Sequence, residues 1–139
     1  MPSSLRFILL LSAMAVIAAP ISIAVLHEQD VRAARINAEG MTGGRSDRGE
    51  AAFHRLGCGG CHEAAIGSGA NGRVAPSLAG IASRAEIAGK LPNTPEHMVR
   101  WIRHPQAIIP GNGMPDQGIG DADARDLAAY LYTLRTPSI

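Results

Sequence analysis

Large rings are scarce in this chain: two Phe, two Tyr and one Trp make up 4% of its 139 residues. A core so poor in aromatics is hard to fill with protein alone, so a non-protein group is expected to fill part of it. Cysteine is scarcer still. Only Cys58 and Cys61 are present, which excludes a multi-disulfide scaffold. A surplus of either charge is missing as well. Lys+Arg 13 against Asp+Glu 12 gives a formal +1. That balance lacks the cationic footprint of a nucleic-acid-binding protein and the high net charge of a disordered chain. The sequence shows no internal repeat, no low-complexity block and no convincing period-two strand pattern. What is there, 46% hydrophobic and 18% charged residues, fits about one folded domain.

Hydrophobicity is concentrated at one end. Residues 7–26 carry no charge and are interrupted only by Ser12, Pro20 and Ser22. The run matches the ~20 residues that span a bilayer and exceeds the ~7–15 of a signal-peptide core. Ser22-Ile23-Ala24 offers a small-x-small cleavage site, whereas cleavage after Ala15 leaves too short a core and Pro20 disfavours a cut after Ala19. Residues 1–26 are therefore read as an uncleaved membrane anchor, with a signal peptide as the alternative. Both readings export the downstream residues. Arg6 on one side and Arg32 and Arg35 on the other leave the orientation undecided by charge.

Residues 27–45 read as a linker, helical in its first half, and 46–139 as the domain. Ser46 is expected to cap a helix with Asp47 and Glu50 in its first turn. Gly49, Phe53 and Leu56 fall on one face of that helix, which ends at Gly57. Residues 63–80 read as loop and 81–88 as a short helix. Thr94 and Pro95 form a helix start ahead of Met98, Val99 and Ile102, and Pro105 stops that helix. Residues 105–120 read as an extended loop. Asp121 is expected to cap a last helix with the stripe Ala124, Leu127, Ala128, Leu131 and Leu134. The fold class is all-α: three to four helices with long loops.

Cys58-Gly59-Gly60-Cys61-His62 matches the pattern for covalent attachment of a c-type haem. Two thiols add across the two vinyl groups of the porphyrin, and the two intervening glycines set the span without adding bulk. The next residue lies under the iron, so His62 can supply the proximal nitrogen. A redox dithiol would want a βαβ setting that is absent here, and a structural zinc site lacks its full ligand set. A surface disulfide would leave His62 unexplained. Such attachment is completed outside the bacterial cytoplasm, which places the domain in the periplasm or its equivalent.

For the opposite axial position the best candidate is Met114, in Pro110-Gly111-Asn112-Gly113-Met114-Pro115. Prolines restrict that loop and glycines let its backbone pass close to a ring. Met98 falls on an apolar helix face and reads as core. His104 reads as a helix-end surface residue, His54 as exposed, and His27 and His97 as ordinary polar positions. A His62/Met114 pair fills both axial positions with protein atoms. Thioether sulfur raises the reduction potential, and no position stays open for substrate. The expected activity is electron transfer, not turnover.

With these residues in place the sequence resembles the class I c-type cytochromes over roughly residues 46–135. Besides the haem motif, Gly49-x-x-x-Phe53 and Leu127-x-x-Tyr130 are similar to that family's crossed-helix contact. Ala75-Pro76-Ser77-Leu78 resembles a segment whose proline carbonyl holds the proximal histidine ring, which implies that Pro76 accepts a hydrogen bond from His62. Trp101 and Arg84 resemble residues that reach haem propionates. The alternatives are core packing for Trp101 and a solvated loop charge for Arg84. The stretch from Leu91 through Trp101 and Pro105 to the methionine loop is especially similar to the haem domain fused to subunit II of some bacterial cytochrome oxidases, here without a copper-binding domain expected ahead of it.

The resemblance implies a cytochrome c fold holding one covalent haem c and its iron. The leading expectation is a membrane-tethered electron carrier on the periplasmic side of the bacterial cytoplasmic membrane. Its partners would be a quinol-oxidising cytochrome complex or a periplasmic dehydrogenase as donor and a terminal oxidase as acceptor. A fixed haem subunit of a respiratory or dehydrogenase complex is the first alternative. A haem enzyme or gas sensor with a displaceable ligand is the second. Signal cleavage would instead give a soluble periplasmic protein. Apart from Arg6 the acidic and basic residues are equal in number, so strong charge steering of a partner is not forced.

Overall fold

An apolar run with nothing packed on it opens the chain. The computed structural model describes residues 3–64 and 68–135, and the chain divides into two units, Met1–Ala33 and Ala34–Ile139. The first unit is helical, part of α1 (Ser3–Thr42). Its side chains from Phe7 to Leu26 are exposed, and the helix is long and apolar enough to cross a membrane. Such a surface suits lipid, and membrane-spanning helices tolerate an internal proline such as Pro20.

The second unit begins inside the same helix. The stretch expected as a linker is helical as far as Thr42, and Ala38 and Thr42 are buried. The reason lies in polar groups of the neighbouring elements. The Glu39 carboxylate accepts the Ser46 backbone N–H at 3.0 Å and the Ser46 hydroxyl at 2.9 Å. Ser46 is therefore not the cap of α2 (Ser46–Arg55) but its first residue. Arg45 stands at the cap position, and its N–H donates to the buried Asp126 at 2.6 Å. Arg48 pairs with the same carboxylate at 2.9 Å. Two acidic side chains from elsewhere in the unit thus satisfy the start of α2, where free N–H groups favour negative charge.

Close approach of two helices builds the core. On α2, a Cβ at Gly49 would overlap the Asp126 carbonyl oxygen of α5 (Asp121–Thr133). Only glycine lets the backbones come this near. One turn further on, Phe53 packs on Tyr130 with ring centroids 5.4 Å apart, an arrangement worth about 0.5–1.5 kcal/mol beyond the buried area. Asp121 is again not a cap: Gly120 holds that position, and Asp121 in the first turn pairs with Arg103 and Arg125.

Thr94 caps α3 (Pro95–Arg103) as expected, its hydroxyl accepting the His97 N–H at 3.3 Å. Met98, Val99 and Ile102 turn into the core. Pro105 ends α3 but also opens a further turn, α4 (Pro105–Ile108), where an extended loop was expected. Proline loses no hydrogen bond at a first helical position. Residues 81–88 are not one helix either. They divide into a 3₁₀ turn at Ile81–Ser83 and a short strand, β1 (Glu86–Ile87), paired antiparallel with β2 (Leu91–Pro92). Ala88, Gly89 and Lys90 connect the strands; Ala88 and Gly89 take positive φ, and the Lys90 N–H closes the turn on the Ile87 carbonyl at 3.1 Å. Two residues per strand are too few to show alternation. The fold is otherwise the mostly helical one expected. The Tyr132 hydroxyl donates to Asn93 at 2.8 Å, and burial, with the Glu96 charge second, pushes that phenol up to about 12.

The α2 contacts can be tested at two residues. Gly49→Ala should force the α2–α5 crossing apart and lower stability by about 1–3 kcal/mol, read from thermal unfolding of the intact protein. Glu39 lies outside the apolar run, and the Ser46 backbone and hydroxyl bonds hold its pKa below the ordinary value of 4.5. A depressed carboxylate stabilises the fold above its unfolded pKa, and that contribution disappears as pH falls through the folded value. Glu39→Ala should therefore cost about 1 kcal/mol at neutral pH, on the scale of a helix cap. The gap between the two proteins should narrow as pH falls below the ordinary carboxylate range; a gap that does not shrink in acid would refute this account.

Candidate functional site

α2 stops at Arg55, and Gly57 turns the chain with φ 71°. This left-handed residue feeds directly into a tight 3₁₀ turn, Cys58–Gly60. Inside the turn the N–H groups of Cys61 and His62 both donate to the Cys58 carbonyl, at 3.2 and 3.0 Å. The two thiols are free, Cys58 half-buried and Cys61 exposed. Burial raises the Cys58 pKa, so that thiol is held neutral.

A second segment pins this turn from outside. The N–H groups of Gly72, Ala75 and Leu78 donate to the carbonyls of Gly59, Cys61 and Glu63 at 3.1, 3.0 and 2.7 Å. Glu63 and Asn71 form a bridge, and Ala64 donates to Ala70 at 3.1 Å. The loop expected over 63–80 is therefore an ordered strap; residues 65–67 within it lie outside the described residues. Gly72 has no room for a side chain, since a Cβ there would overlap the Cys61 carbonyl carbon. A Cβ at Gly59 would meet the Ala70 Cβ at 2.9 Å.

The strap also fixes His62. The ring Nδ1 lies 2.8 Å from the Pro76 carbonyl oxygen. A carbonyl only accepts, so Nδ1 carries the proton and the lone pair sits on Nε2. An imidazole held by its Nδ1 hydrogen with Nε2 left as donor is the form that metal-ligating histidines take. Arg84 in turn steadies the strap, its guanidinium donating to the carbonyls of Ser77 and of Ala79, the latter at 3.1 Å. Those bonds show the Arg84 charge engaged with backbone, not simply solvated. Trp101 is half-buried and packs on the core, as do the partly covered Leu56, Cys58 and Leu78.

Met114 sits half-buried in the loop after α4, and its backbone N–H donates to Asn112 Oδ1 at 2.7 Å. The other ligand candidates lie elsewhere. Met98 is buried in the core, while His27, His54 and His104 are exposed. His97 is half-buried with its Nδ1 3.0 Å from the Pro92 carbonyl. Among the described residues no three His, Cys, Asp or Glu side chains gather as a metal cage. Two thiols and an oriented imidazole on one turn suit a group that brings its own equatorial ligands.

The cytochrome c family profile matches residues 46–135. The chain belongs to the cytochrome c family. Proteins of this family bind haem c covalently, with its iron, and transfer electrons through it, so this cytochrome carries a haem-based electron-transfer domain. It is similar to a cytochrome c oxidase subunit 2 from Alkalihalophilus pseudofirmus, 35% identical over 91 residues, 65% of this chain and 26% of that protein. Similarity to a cytochrome c2 from Rhodopila globiformis is 34% over 100 residues, 63% of this chain and 91% of the relative. A cytochrome c2 from Agrobacterium tumefaciens is 37% identical over 102 residues, 60% of this chain and 86% of the relative. The chain thus spans about a quarter of the oxidase subunits it matches and most of the cytochromes c2. No solved structure matches it.

Three site-building residues escaped the sequence reading. Gly72 is one glycine among many in a Gly/Ala/Ser-rich stretch, and its crowding exists only after the strap folds back. Gln106 and Asn112 are polar residues in a loop, with their local signal limited to the prolines and glycines around them. Gly72→Ala should lower covalent haem content, measured by the alkaline pyridine spectrum against total protein. Gly40→Ala, where an added Cβ meets nothing within 4 Å, should leave that content unchanged. Equal haem content in both variants would argue against the strap.

Proposed function

We propose that this cytochrome is a membrane-anchored, single-haem electron carrier in which Cys58 and Cys61 form the thioether links and His62 and Met114 are the axial ligands of the iron. The observation that carries the reading is the His62 ring held by the Pro76 carbonyl at 2.8 Å, on a turn with two free thiols. Bound haem c supplies a metal that changes charge by one electron. The chain's own residues do the rest. Pro76 holds the His62 ring by Nδ1, which leaves Nε2 for a metal, and Arg84 keeps the Pro76 segment in place. Met114 offers a soft sulfur that favours the reduced metal. With two protein ligands, no site is left for oxygen or substrate, and the low reorganisation of a fixed ligand set suits electron transfer. Trp101 and the guanidinium hydrogens of Arg84 not used by the strap would serve the propionates of a bound haem.

The apolar helix is read as the anchor in the bacterial cytoplasmic membrane, with the haem domain on the periplasmic side. A tether raises the effective concentration of the domain near membrane partners. Those partners are a quinol-oxidising cytochrome complex or a periplasmic dehydrogenase as donor and a terminal oxidase as acceptor. The near-full coverage of the cytochromes c2 supports a free-standing carrier. Similarity to cytochrome c oxidase subunit 2 supports a second reading, a fixed subunit of a respiratory complex. Stable co-migration with a multi-subunit enzyme in mild detergent would favour that one.

A reduced-minus-oxidised visible spectrum of membrane and soluble fractions tests the proposal. The c-type bands should appear in the membrane fraction, and the pigment should stay with the polypeptide in acid-acetone. Met114→Ala should lose the methionine-to-iron charge-transfer band and bind carbon monoxide when reduced. Pigment extracted by acid-acetone would overturn the covalent assignment. A soluble pigmented form starting near Val25 would remove the anchor and leave the haem ligation standing.

A further inference from the structure

The loop that carries Met114 has almost no regular backbone pairing of its own, yet it is closed at both ends by two side-chain amides. Gln106 Nε2 donates to the Asn112 carbonyl at 2.9 Å and to the Met114 carbonyl at 2.7 Å, while Gln106 Oε1 accepts the Gly111 N–H at 3.0 Å. Asn112 Nδ2 donates to the carbonyls of Pro105 at 3.0 Å and Ile109 at 2.6 Å. Asn112 Oδ1 accepts the Met114 N–H at 2.7 Å. Every donor and acceptor atom of both amides is engaged, with six bonds between them. Both backbone polar groups of Met114 are thereby held, one by each amide. The knot is fastened to the core through Pro105, which is fully buried, and the Gln106 N–H donates outward to Asp116 at 3.3 Å.

We propose that Gln106 and Asn112 are positioning residues that lock the Met114 backbone and so hold its thioether on the iron against competing ligands. This rests on the assignment of Met114 as axial ligand. The physical logic is one of backbone constraint. A methionine side chain has three rotatable bonds and little shape of its own, so the position of its sulfur depends on how firmly its backbone is fixed. Pro105, Pro110 and Pro115 supply no N–H for a ladder, and Gly111 and Gly113 relax rather than constrain the chain. Side-chain amides are what remain to fix it. The two amides act as one unit, because Gln106 binds the backbone carbonyl of Asn112 itself.

The test uses the full-length ferric holoprotein in detergent, titrated with imidazole and followed by its visible spectrum. Asn112→Ala and Gln106→Ala should each bind imidazole at least about tenfold more tightly than the unmodified protein, the scale of one or two lost hydrogen bonds. Asn112→Asp retains the acceptor for the Met114 N–H and loses the two donors, so it should fall between. Tyr132→Phe removes the hydroxyl bond to Asn93 and serves as a control for general loss of stability; its imidazole affinity should not change. Affinities for both alanine variants within about twofold of the unmodified protein would overturn the proposal. So would an equal rise in Tyr132→Phe.

A second measurement needs no variant. Amide hydrogen exchange in the unmodified reduced holoprotein should be slower at Met114 and Gly111 than at Gly113, whose N–H has no partner among the described residues. Equal exchange at the three amides would refute the lock. If the unmodified protein shows no methionine-to-iron band, the ligand assignment fails, and this exchange pattern still decides whether the amides hold the loop.

Discussion

The contact between α2 and α5 at Gly49 is the constraint on which the rest of the domain depends. Because glycine brings the two backbones together, Phe53 and Tyr130 meet one turn further along. Phe53 in turn lies under the start of the cysteine turn, its ring 3.5 Å from where a Gly59 Cβ would stand. A chain with so few rings uses this one in two places at once. The carboxylate of Asp126 works from the same point on α5, binding Arg48 and the Arg45 N–H. One short stretch of α5 therefore sets where α2 begins, how closely it lies, and where its C-terminal end delivers Cys58.

The two proposed axial ligands are fixed by different means. On the His62 side the work is done by backbone: three strap N–H groups on alternate carbonyls of the cysteine segment, then the Pro76 carbonyl on the ring. On the Met114 side it is done by side chains, the amides of Gln106 and Asn112. The difference follows from composition. The strap has free N–H groups to offer, whereas the methionine loop is punctuated by prolines that have none. A histidine ring is rigid and needs one bond to be aimed; a flexible thioether needs its whole residue held.

Much of this was legible in the sequence. The haem motif, the helix start at Thr94-Pro95 and the apolar stripe of α5 each depend on local chemistry, which is written in neighbouring residues, whereas the glycine at the helix crossing came from the resemblance. What was not legible depends on partners far along the chain. Ser46 looks like a cap, but Glu39 and Asp126 do the capping from seven and eighty-one residues away by hydrogen-bond separation. Within residues 27–45, read as a linker, Ala38 and Thr42 are buried; that burial is conferred by the folded unit and not by periodicity in the polar stretch. Gly72 reads as one flexible position in a small-residue loop, and only the folded strap shows that nothing larger fits. The small hairpin at Glu86–Pro92 is too short for alternation to register.

The boundary of the folded unit at Ala34 bears on how the protein can be delivered. A processing peptidase cutting after Ala24 would release a polypeptide that still contains Glu39, Ala38 and Thr42. Among the described residues, the buried side chains that α1 contributes, Ala38 and Thr42, and the Glu39 carboxylate all lie beyond that cut. On the proposed reading, a tethered form and a processed form would share one interior, and only the apolar run would distinguish them.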